Sequence, residues 1–371
     1  MEKTEADGEK RPSKGSKWKR RTFLGALGAV GVFGGAVTSF GYKFSVAPYR
    51  GPISDHFNGE KFFNPGGEGP HGVVDMMKWL LNRDIGPWKE FTDAPPGAPP
   101  PKRVGMGDLR VTFVNHSSVL IQMDGVNILT DPVWSDRISP VSFAGPRRHR
   151  PVGIRFEDLP PIDIILLSHN HYDHLDAPTM TRLAATHKPR IYTALGNSAF
   201  LKTIDVPNAT DVDWWDAIDL GGGMRLTCMP ARHFANRGTF DRDTTLWCGF
   251  MLEGSAGQVY FAGDSGMGPH FEEIGRRFPS IRLALLPIGA YRPRWFMSAV
   301  HMGPDDAVHV HQTLKASRSM GIHFGTFAQA DDGETEPVEL MNATLDTLGI
   351  PRDRFRALEN GEGWDIPPFG A

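Results

Sequence analysis

Cysteine is scarce in this chain, and neither sign of charge dominates it. Two cysteines cannot form the dense disulfide framework of a small secreted scaffold. With 40 basic and 43 acidic residues the formal net charge is −3, which argues against a nucleic-acid binder. Composition also excludes collagen, coiled coils and polytopic membrane proteins, since only one uncharged stretch is long enough to span a bilayer. Histidine, by contrast, is plentiful, with 14 residues whose positions carry most of the information.

The amino terminus has the pattern of an export signal. Residues 1–21 hold eight Lys or Arg and four acidic residues, and residues 22–42 are uncharged. The sequence Arg20-Arg21-Thr-Phe-Leu resembles a twin-arginine signal. A cleaved signal and a retained single-span anchor both fit, whereas a plain buried helix fits less well. We therefore expect the remainder to be exported, either periplasmic or anchored to the inner membrane facing the periplasm.

Composition divides the chain into three parts. Residues 1–43 form the leader or anchor, 44–103 an N-terminal extension with a proline-rich linker, and 104–371 the main domain. Within the extension, residues 71–82 predict a short helix. Its predicted packing face consists of Val74, Met77, Trp79 and Leu80.

The main domain begins with short β-type runs and continues with alternating strands and helices. The predicted strands are 110–116, 117–123, 126–132, 162–169, 190–195, 224–233, 245–254, 258–264, 282–289 and 322–327. Asp124-Gly125 predicts a hairpin turn. The predicted helices are 178–186, 196–204, 269–277, 304–317 and 337–347. This order indicates an α/β (α+β) fold, with a mixed sheet or two packed sheets covered by helices.

The two cysteines lie in strand-like runs. An exported protein could join Cys228 and Cys248 in a disulfide, but the sequence does not give their separation. We favour two buried free thiols, and pairing stays open.

The chemistry is concentrated directly after the apolar run 162–167. Three histidines and an aspartate follow within six residues, at the end of a buried strand: His169, His171, Asp173 and His174. Neutral imidazoles and carboxylates are ligands of first-row metals, and functional side chains often sit on loops held by a rigid scaffold. A His-rich polar loop without function is the alternative, and it does not account for the abrupt hydrophobic strand before it.

This His-x-His-x-Asp-His sequence resembles the signature of the metallo-β-lactamase superfamily. The superfamily pattern continues with His, Asp and His, each near a strand end, and His233, Asp264 and His323 occur in that order. From about 105 to 362 the chain is similar to the branch that includes N-acylphosphatidylethanolamine-hydrolysing phospholipase D. The segments that carry this similarity are 129–150, 159–176, 211–216, 261–278, 286–297, 301–311 and 322–328. A Gly-His-Ala-Thr-like segment of the relatives reads Asn115-His116-Ser117-Ser118 here, which makes the neighbours of the histidine a departure from the pattern.

The resemblance implies an αββα sandwich with two metal ions at its edge. By this resemblance His169, His171 and His233 hold one metal, Asp173, His174 and His323 hold the other, and Asp264 bridges both. Zinc is the default for such nitrogen-rich ligands, with other first-row divalent metals as alternatives. Our mechanistic hypothesis is that a metal-bridging hydroxide attacks a phosphodiester phosphorus, with Asp264 and Asp173 in the catalytic centre.

Further residues are candidates for support or substrate contact. His116, His301 and His311 could orient ligands, or could be satisfied in the core. On a helix, His309 should face away from His311. Tyr172 could touch substrate or pack under the loop. The basic candidates for anion contact, each with a structural ion pair or a solvated surface as the alternative, are Arg292, Arg294 and the run Arg147-Arg148-His149-Arg150.

The resemblance implies a binuclear hydrolase of the phospholipase D type, a phosphoric diester hydrolase. Its expected partners are a phospholipid or another small phosphodiester, at a membrane surface and without nucleic acid. The sequence leaves a homodimer open. Two alternatives remain: a lactonase or other ester or amide hydrolase of the same fold, and a non-catalytic metal-binding envelope protein.

Overall fold

The fold is built from two seven-stranded sheets flanked by helices. The computed structural model describes residues 45–67 and 69–369. The predicted leader lies outside these residues. The strands of the first sheet are β1 (Leu109–Asn115), β2 (Ser118–Met123), β3 (Val126–Thr130), β4 (Ile164–Leu167), β5 (Arg190–Ala194), β6 (Ala209–Val212) and β14 (Gly363–Asp365). Those of the second sheet are β7 (Ala217–Gly221), β8 (Met224–Met229), β9 (Gly249–Gly254), β10 (Gly257–Phe261), β11 (Ile281–Pro287), β12 (Arg318–Ile322) and β13 (Phe355–Arg356).

One helix precedes the first of these strands, and the others lie in connections between strands. The helices are α1 (Val73–Leu81), α2 (Ala177–His187), α3 (Asn197–Thr203), α4 (His270–Arg277), α5 (Arg294–Met297), α6 (Pro304–Thr313) and α7 (Glu336–Leu348), with one 3₁₀ turn at Phe156–Asp158. Within residues 45–67 and 69–369, no helix has the length and apolarity needed to cross a membrane.

The two sheets have the same number of strands and a similar arrangement of parallel and antiparallel pairs. The first sheet runs β14-β1-β2-β3-β4-β5-β6, and the second runs β13-β12-β11-β10-β9-β8-β7. In each sheet an antiparallel part adjoins a parallel part, since β3 to β6 are parallel and so are β10 to β13. Among the described residues, 46–237 without 68 and 241–369 belong to one compact unit, so the extension from residue 46 lies on the same body as the sheets. The other unit contributes Ser45 and Gly238–Phe240 to the description.

Strand β4 shows that the first sheet is covered on both faces. Its four residues alternate between two hydrophobic clusters, because successive side chains of a strand point to opposite faces. Ile164 and Leu166 join the large core between the sheets, and Ile165 and Leu167 join a smaller core under α2 and α3. Continuous apolar strands of this kind are typical of a sheet covered on both sides. The αββα architecture expected from the sequence is confirmed.

Most predicted elements match within a few residues, and the exceptions have local causes. The hairpin turn is confirmed, with Asp124 and Gly125 both at positive φ. Helix α6 ends at Thr313 instead of 317, because Lys315 adopts a left-handed conformation. The strand predicted at 322–327 is wrong. The strand is Arg318–Ile322, and His323, at φ 61°, ends it.

The packing face predicted for the first helix is also wrong. Helix α1 has no buried residue, and Val74, Met77 and Leu80 are exposed. Trp79 alone among the four predicted residues packs inward, against Phe296. The apolar stripe was read correctly as a helix, but nothing in the described chain covers it.

The cysteines are buried and unpaired, as favoured from the sequence. Cys228 lies on β8, and Cys248 directly precedes β9, where its amide donates to the carbonyl of Ser168 at 3.0 Å.

Arg282 ties β11 to the chain segments at the edge of the sandwich. Its buried guanidinium donates to four carbonyl groups, those of Gly107, Ala256, Ile366 and Pro367. We expect Arg282→Met to lower the free energy of unfolding by about 3 kcal/mol, because it leaves these carbonyls without their donor. Urea denaturation measures the change. Arg276→Met is the control, since that side chain is 75% exposed and should change stability little.

Candidate metal centre

Residues 168–176, which contain the His-x-His-x-Asp-His sequence and are called the metal loop below, are held to the first sheet by a buried aspartate. Asp131 follows β3, and the loop follows β4, its parallel neighbour, so both chain ends emerge at the same edge. Asp131 accepts hydrogen bonds from the backbone N–H of Ser168 at 2.7 Å, its hydroxyl at 2.6 Å and His174 Nδ1 at 2.6 Å. The carboxylate therefore sets the start of the loop and the orientation of one imidazole.

The first set of donors is a histidine triad. His171 Nδ1 lies 2.9 Å from His169 Nε2 and 3.3 Å from His233 Nε2. His233 follows β8, so the triad joins a loop of the first sheet to one of the second. Burial is the main cause that lowers the pKa of His169 and His233 well below the ordinary value, and it lowers the pKa of His171 to about 4. All three rings are therefore neutral at pH 7.

Hydrogen bonds on the far side of the rings set which nitrogen carries the proton. His233 Nδ1 lies 2.9 Å from the carbonyl of Val300, which can only accept, so Nδ1 holds the proton. The Ser168 hydroxyl donates to Asp131 and so accepts from His169 Nδ1, 2.9 Å away. In both neutral rings Nε2 is left with a bare lone pair that faces the triad. Imidazole lone pairs that converge in this way are typical of a metal site.

The second set of donors surrounds one oxygen of Asp173. Asp173 Oδ2 lies 3.2 Å from His174 Nε2 and 3.3 Å from His323 Nε2. His116 Nε2 and Gln329 Nε2 each lie 2.9 Å from the same oxygen. His116 and His323 come from opposite sheets, and the amide of His323 donates to the carbonyl of His116. The two sheets thus meet at this set.

Asp264 lies between the two sets. Its Oδ2 is 3.2 Å from His174 Nε2, 3.1 Å from His323 Nε2 and 3.8 Å from His233 Nε2. It follows β10 through Gly263, at φ 60°, where a Cβ would lie 2.7 Å from the carbonyl oxygen of Cys248. Only glycine permits this approach, which explains the Gly-Asp pair.

The charges of this buried cluster need cations. Burial alone would raise the pKa of Asp264 and Asp173, but the neighbouring histidines hold both well below the ordinary value. For His174, burial is opposed by Asp264 and Asp173, which raise its pKa well above 6.5. Neither oxygen of Asp264 accepts a conventional hydrogen bond from the described residues. A buried Asp264 carboxylate without a conventional donor, close to Asp173 and to several imidazole rings, is a donor set for metal ions. The residues fit a two-metal site.

All seven residues predicted as ligands are therefore brought together, and their role as ligands stays a prediction. His116 lies beside Asp173, and His301 faces Asp264, with Nδ1 at 3.8 Å from Oδ2. Tyr172 packs against the cluster of Val133, Ile138 and Phe327, with the Arg237 guanidinium 4.1 Å from its ring centroid. This position favours packing under the loop over substrate contact.

Two other candidates do not join the centre. His311 faces β12, where Nδ1 lies 2.8 Å from the hydroxyl of Ser319, which is the alternative of a histidine satisfied in the core. His309 is exposed on the opposite face of the helix, as predicted. Arg294 forms ion pairs with Asp305 and Asp306 at the start of α6, which is the structural alternative to substrate contact.

The remaining basic candidates are also held by the protein. Arg292 pairs with Glu336 and Asp84, and Arg150 pairs with Glu334. Arg148 is buried and donates to the carbonyls of Ser135 and Val133. The run at 147–150 is therefore not a uniform basic surface.

Sequence reasoning missed Asp131, Ser168 and Gln329. Asp131 had a signal, since it lies at the end of the predicted strand 126–132 and precedes proline, where a functional loop can begin. Ser168 begins the metal loop. Gln329 follows the last ligand by six residues and carried no signal of its own.

We expect Asp264→Asn to lower metal affinity by more than the roughly 10–100-fold typical of a lost outer partner, because it removes one of two buried negative charges between the sets. Metal analysis after dialysis against a weak chelator measures the change. Asp211→Asn is the control, because Asp211 accepts from Gly196 and Ser198, away from the donor sets. Unchanged metal content in Asp264→Asn would contradict the bridging position.

Comparison with known proteins agrees with this geometry. A family profile described as beta-lactamase superfamily domain matches residues 126–324. The chain is 37% identical over 270 residues to N-acyl-phosphatidylethanolamine-hydrolyzing phospholipase D 1 of Caenorhabditis elegans, covering 69% of this chain and 76% of that one. It is 30% identical over 257 residues to the mitochondrial N-acyl-phosphatidylethanolamine-hydrolyzing phospholipase D of Saccharomyces cerevisiae, covering 68% of this chain and 54% of that one.

The fold also matches a solved structure. The crystal structure of isothiocyanate hydrolase from Delia radicum gut bacteria superposes with a TM-score of 0.56 at 18% identity, covering 70% of this chain and 100% of that one. At this identity the likeness concerns the fold alone. Together with the donor geometry, the matched profile and the relatives show that the chain belongs to the metallo-β-lactamase superfamily and is a metal-dependent hydrolase.

Proposed function

We propose that this protein hydrolyses the phosphodiester of an N-acylphosphatidylethanolamine-type phospholipid, in the manner of a phospholipase D. Water would add to phosphorus, and the bond from phosphorus to the ethanolamine oxygen would break. The products are an N-acylethanolamine and phosphatidic acid. The observation that carries the proposal is the 37% identity over 270 residues with a relative named for this reaction.

In this proposal each donor set binds one of two metal ions. His169, His171 and His233 would hold one ion, and Asp173, His174 and His323 the other, with Asp264 between them. When bound, two such ions lower the pKa of water and neutralise negative charge that develops on a phosphoryl group. We propose zinc because the donors are rich in nitrogen.

The protein's own contribution is to orient the donors beforehand. Asp131, Ser168 and the carbonyl of Val300 keep protons on the outer nitrogens of three rings. His116 Nε2 and Gln329 Nε2 each lie 2.9 Å from Asp173 Oδ2 and hold this oxygen in place. Outer partners of this kind fix ring orientation and raise ligand basicity, so their loss weakens metal binding without removing a ligand.

His301 packs against one histidine of each donor set. Its side chain is 12% exposed, and the ring packs against His233 and His323 at centroid distances of 4.9 and 5.4 Å. Its Nδ1 accepts or donates no hydrogen bond within the described chain. We propose that this imidazole hydrogen-bonds an oxygen of the phosphodiester and assists departure of the alkoxide.

The cellular setting is part of the same proposal. The leader expected from the sequence would place the domain on the periplasmic side of the inner membrane, where a phospholipid substrate is at hand. The experiments below test the reaction independently of that location.

We expect the metal-loaded protein to release N-acylethanolamine from N-acylphosphatidylethanolamine, and to lose this activity on chelation and regain it on adding zinc. Mass spectrometry of both products measures the reaction. Phosphatidylethanolamine without the N-acyl group is the comparison substrate.

Two results would redirect the assignment. Hydrolysis of a lactone or other ester, without release of N-acylethanolamine, would favour the ester-hydrolase alternative. Absence of any hydrolysis by protein with full metal content would favour the non-catalytic alternative.

We expect His301→Ala to lower kcat by about 100-fold with metal content unchanged, because a positioned proton donor or acceptor contributes on this scale. Metal analysis and steady-state kinetics separate the two readouts. His309→Ala is the matched control, an exposed histidine of α6. Loss of metal in parallel with activity would instead make His301 a ligand.

A further inference from the structure

The exposed apolar side chains are concentrated in one short segment. Sixteen large hydrophobic residues are exposed in the described chain, and half of them fall within residues 73–91. These are Val73, Val74, Met76, Met77, Leu80, Leu81, Ile85 and Phe91. Soluble proteins carry single exposed apolar residues everywhere, but a contiguous group marks a binding surface. We call residues 73–91 the apolar segment.

Helix α1, within this segment, directs its polar contacts towards the protein and its apolar side chains towards solvent, the reverse of an ordinary surface helix. Its polar contacts point inward, since Trp79 Nε1 donates to Asp331 at 3.1 Å and Arg83 just after it donates to the carbonyl of Ala330 at 2.7 Å. Its apolar side chains point outward, with Val74 82% and Leu81 78% exposed. A surface helix normally buries its apolar face. An apolar partner is therefore needed to cover the outer face.

The apolar segment borders the candidate metal centre. Asp331, its inward anchor, follows Gln329, which donates to the ligand Asp173. Trp79 stacks on Phe296 of α5, and α5 leads within a few residues to His301, whose amide donates to the carbonyl of Met297. A surface that binds the apolar segment would therefore lie next to the reactive groups.

We propose that the apolar segment inserts into the surface of a phospholipid bilayer and brings the metal centre to its substrate. The proposal rests on the proposed function for the identity of that substrate. The uncharged run 22–42 precedes the segment in the chain and, as an anchor, would hold the protein at a bilayer. Interfacial helices lie in the membrane plane with their apolar face among the acyl chains.

The charges of the segment specify which bilayer it fits. Residues 73–91 hold three basic and three acidic residues, so the segment has no net charge. Lys78 lies 4.8 Å from the ring centroid of Trp295, which is itself exposed, a pairing that suits the boundary between headgroups and acyl chains. Binding should therefore depend on apolar burial, and it should not need anionic lipid.

The test places a fluorophore on the outer face of α1 in the full chain. Val74→Cys and Leu81→Cys are each labelled with an environment-sensitive nitrobenzoxadiazole dye, which is selective because both native cysteines are about 1% exposed. We expect a blue shift and a several-fold rise in emission on adding phosphatidylcholine vesicles, unchanged by high salt. Ile53→Cys, 74% exposed and outside the apolar segment, is the matched control and should stay in water.

A label that stays in water while the protein floats with the vesicles would overturn the proposal, because the leader alone would then explain membrane binding. A blue shift without vesicles that grows with protein concentration would also overturn it, in favour of a second copy on this face. Neither readout needs hydrolysis, so a failure of the proposed function is seen separately.

A second arm connects docking to catalysis. We expect Val74→Ser with Leu81→Ser to lower hydrolysis of a vesicle-borne phospholipid by about tenfold, because less apolar area enters the bilayer. Hydrolysis of a small water-soluble phosphodiester should not change. An equal loss on both substrates would show damage to the site, and no loss on vesicles would contradict docking.

Discussion

The interaction on which the site depends is the buried contact of Asp131 with Ser168 and His174. It joins two parallel strands of the first sheet to the loop that carries four of the seven predicted ligands. Because the carboxylate accepts both the serine proton and the His174 Nδ1 proton, it fixes the proton positions of His174 and, through Ser168, of His169. One carboxylate thus determines which nitrogen carries the proton in each of these two rings.

The second constraint is charge. Two aspartates are buried with five histidines, and the pKa of each aspartate stays well below its ordinary value. In the absence of metal, part of this negative charge is balanced by His174 and His323, whose pKa values are raised, the latter to about 9. Metal ions at this site would replace these protons, so binding would release protons and stabilise the folded chain. The same groups would then serve as stabilising charges and as ligands.

Sequence reasoning recovered what depends on local pattern. Strands such as β4 are continuous apolar runs, and the metal loop is a dense cluster directly after one of them, so both could be read from neighbouring residues. The family resemblance supplied the distant ligands His233, Asp264 and His323. What failed depends on tertiary partners. Arg294 forms an ion pair with Asp305, which is the structural alternative to contact with a substrate. This choice depends on how separate segments of the chain pack, which the local sequence does not show. The prediction of the packing face of α1 failed for another reason. Periodicity identifies an apolar stripe on a helix, but it does not show which part of the protein covers that stripe.

The hydrogen bond from His323 to the carbonyl of His116 has a consequence for the order of assembly. It brings together ends of the two sheets that are separated by most of the main domain. Contacts between residues so distant along a chain close late in folding. A nascent chain can therefore complete the second donor set only after β12 has emerged from the ribosome and joined its sheet. The complete second donor set is therefore a product of the assembled fold, and the His-x-His-x-Asp-His loop alone cannot form it.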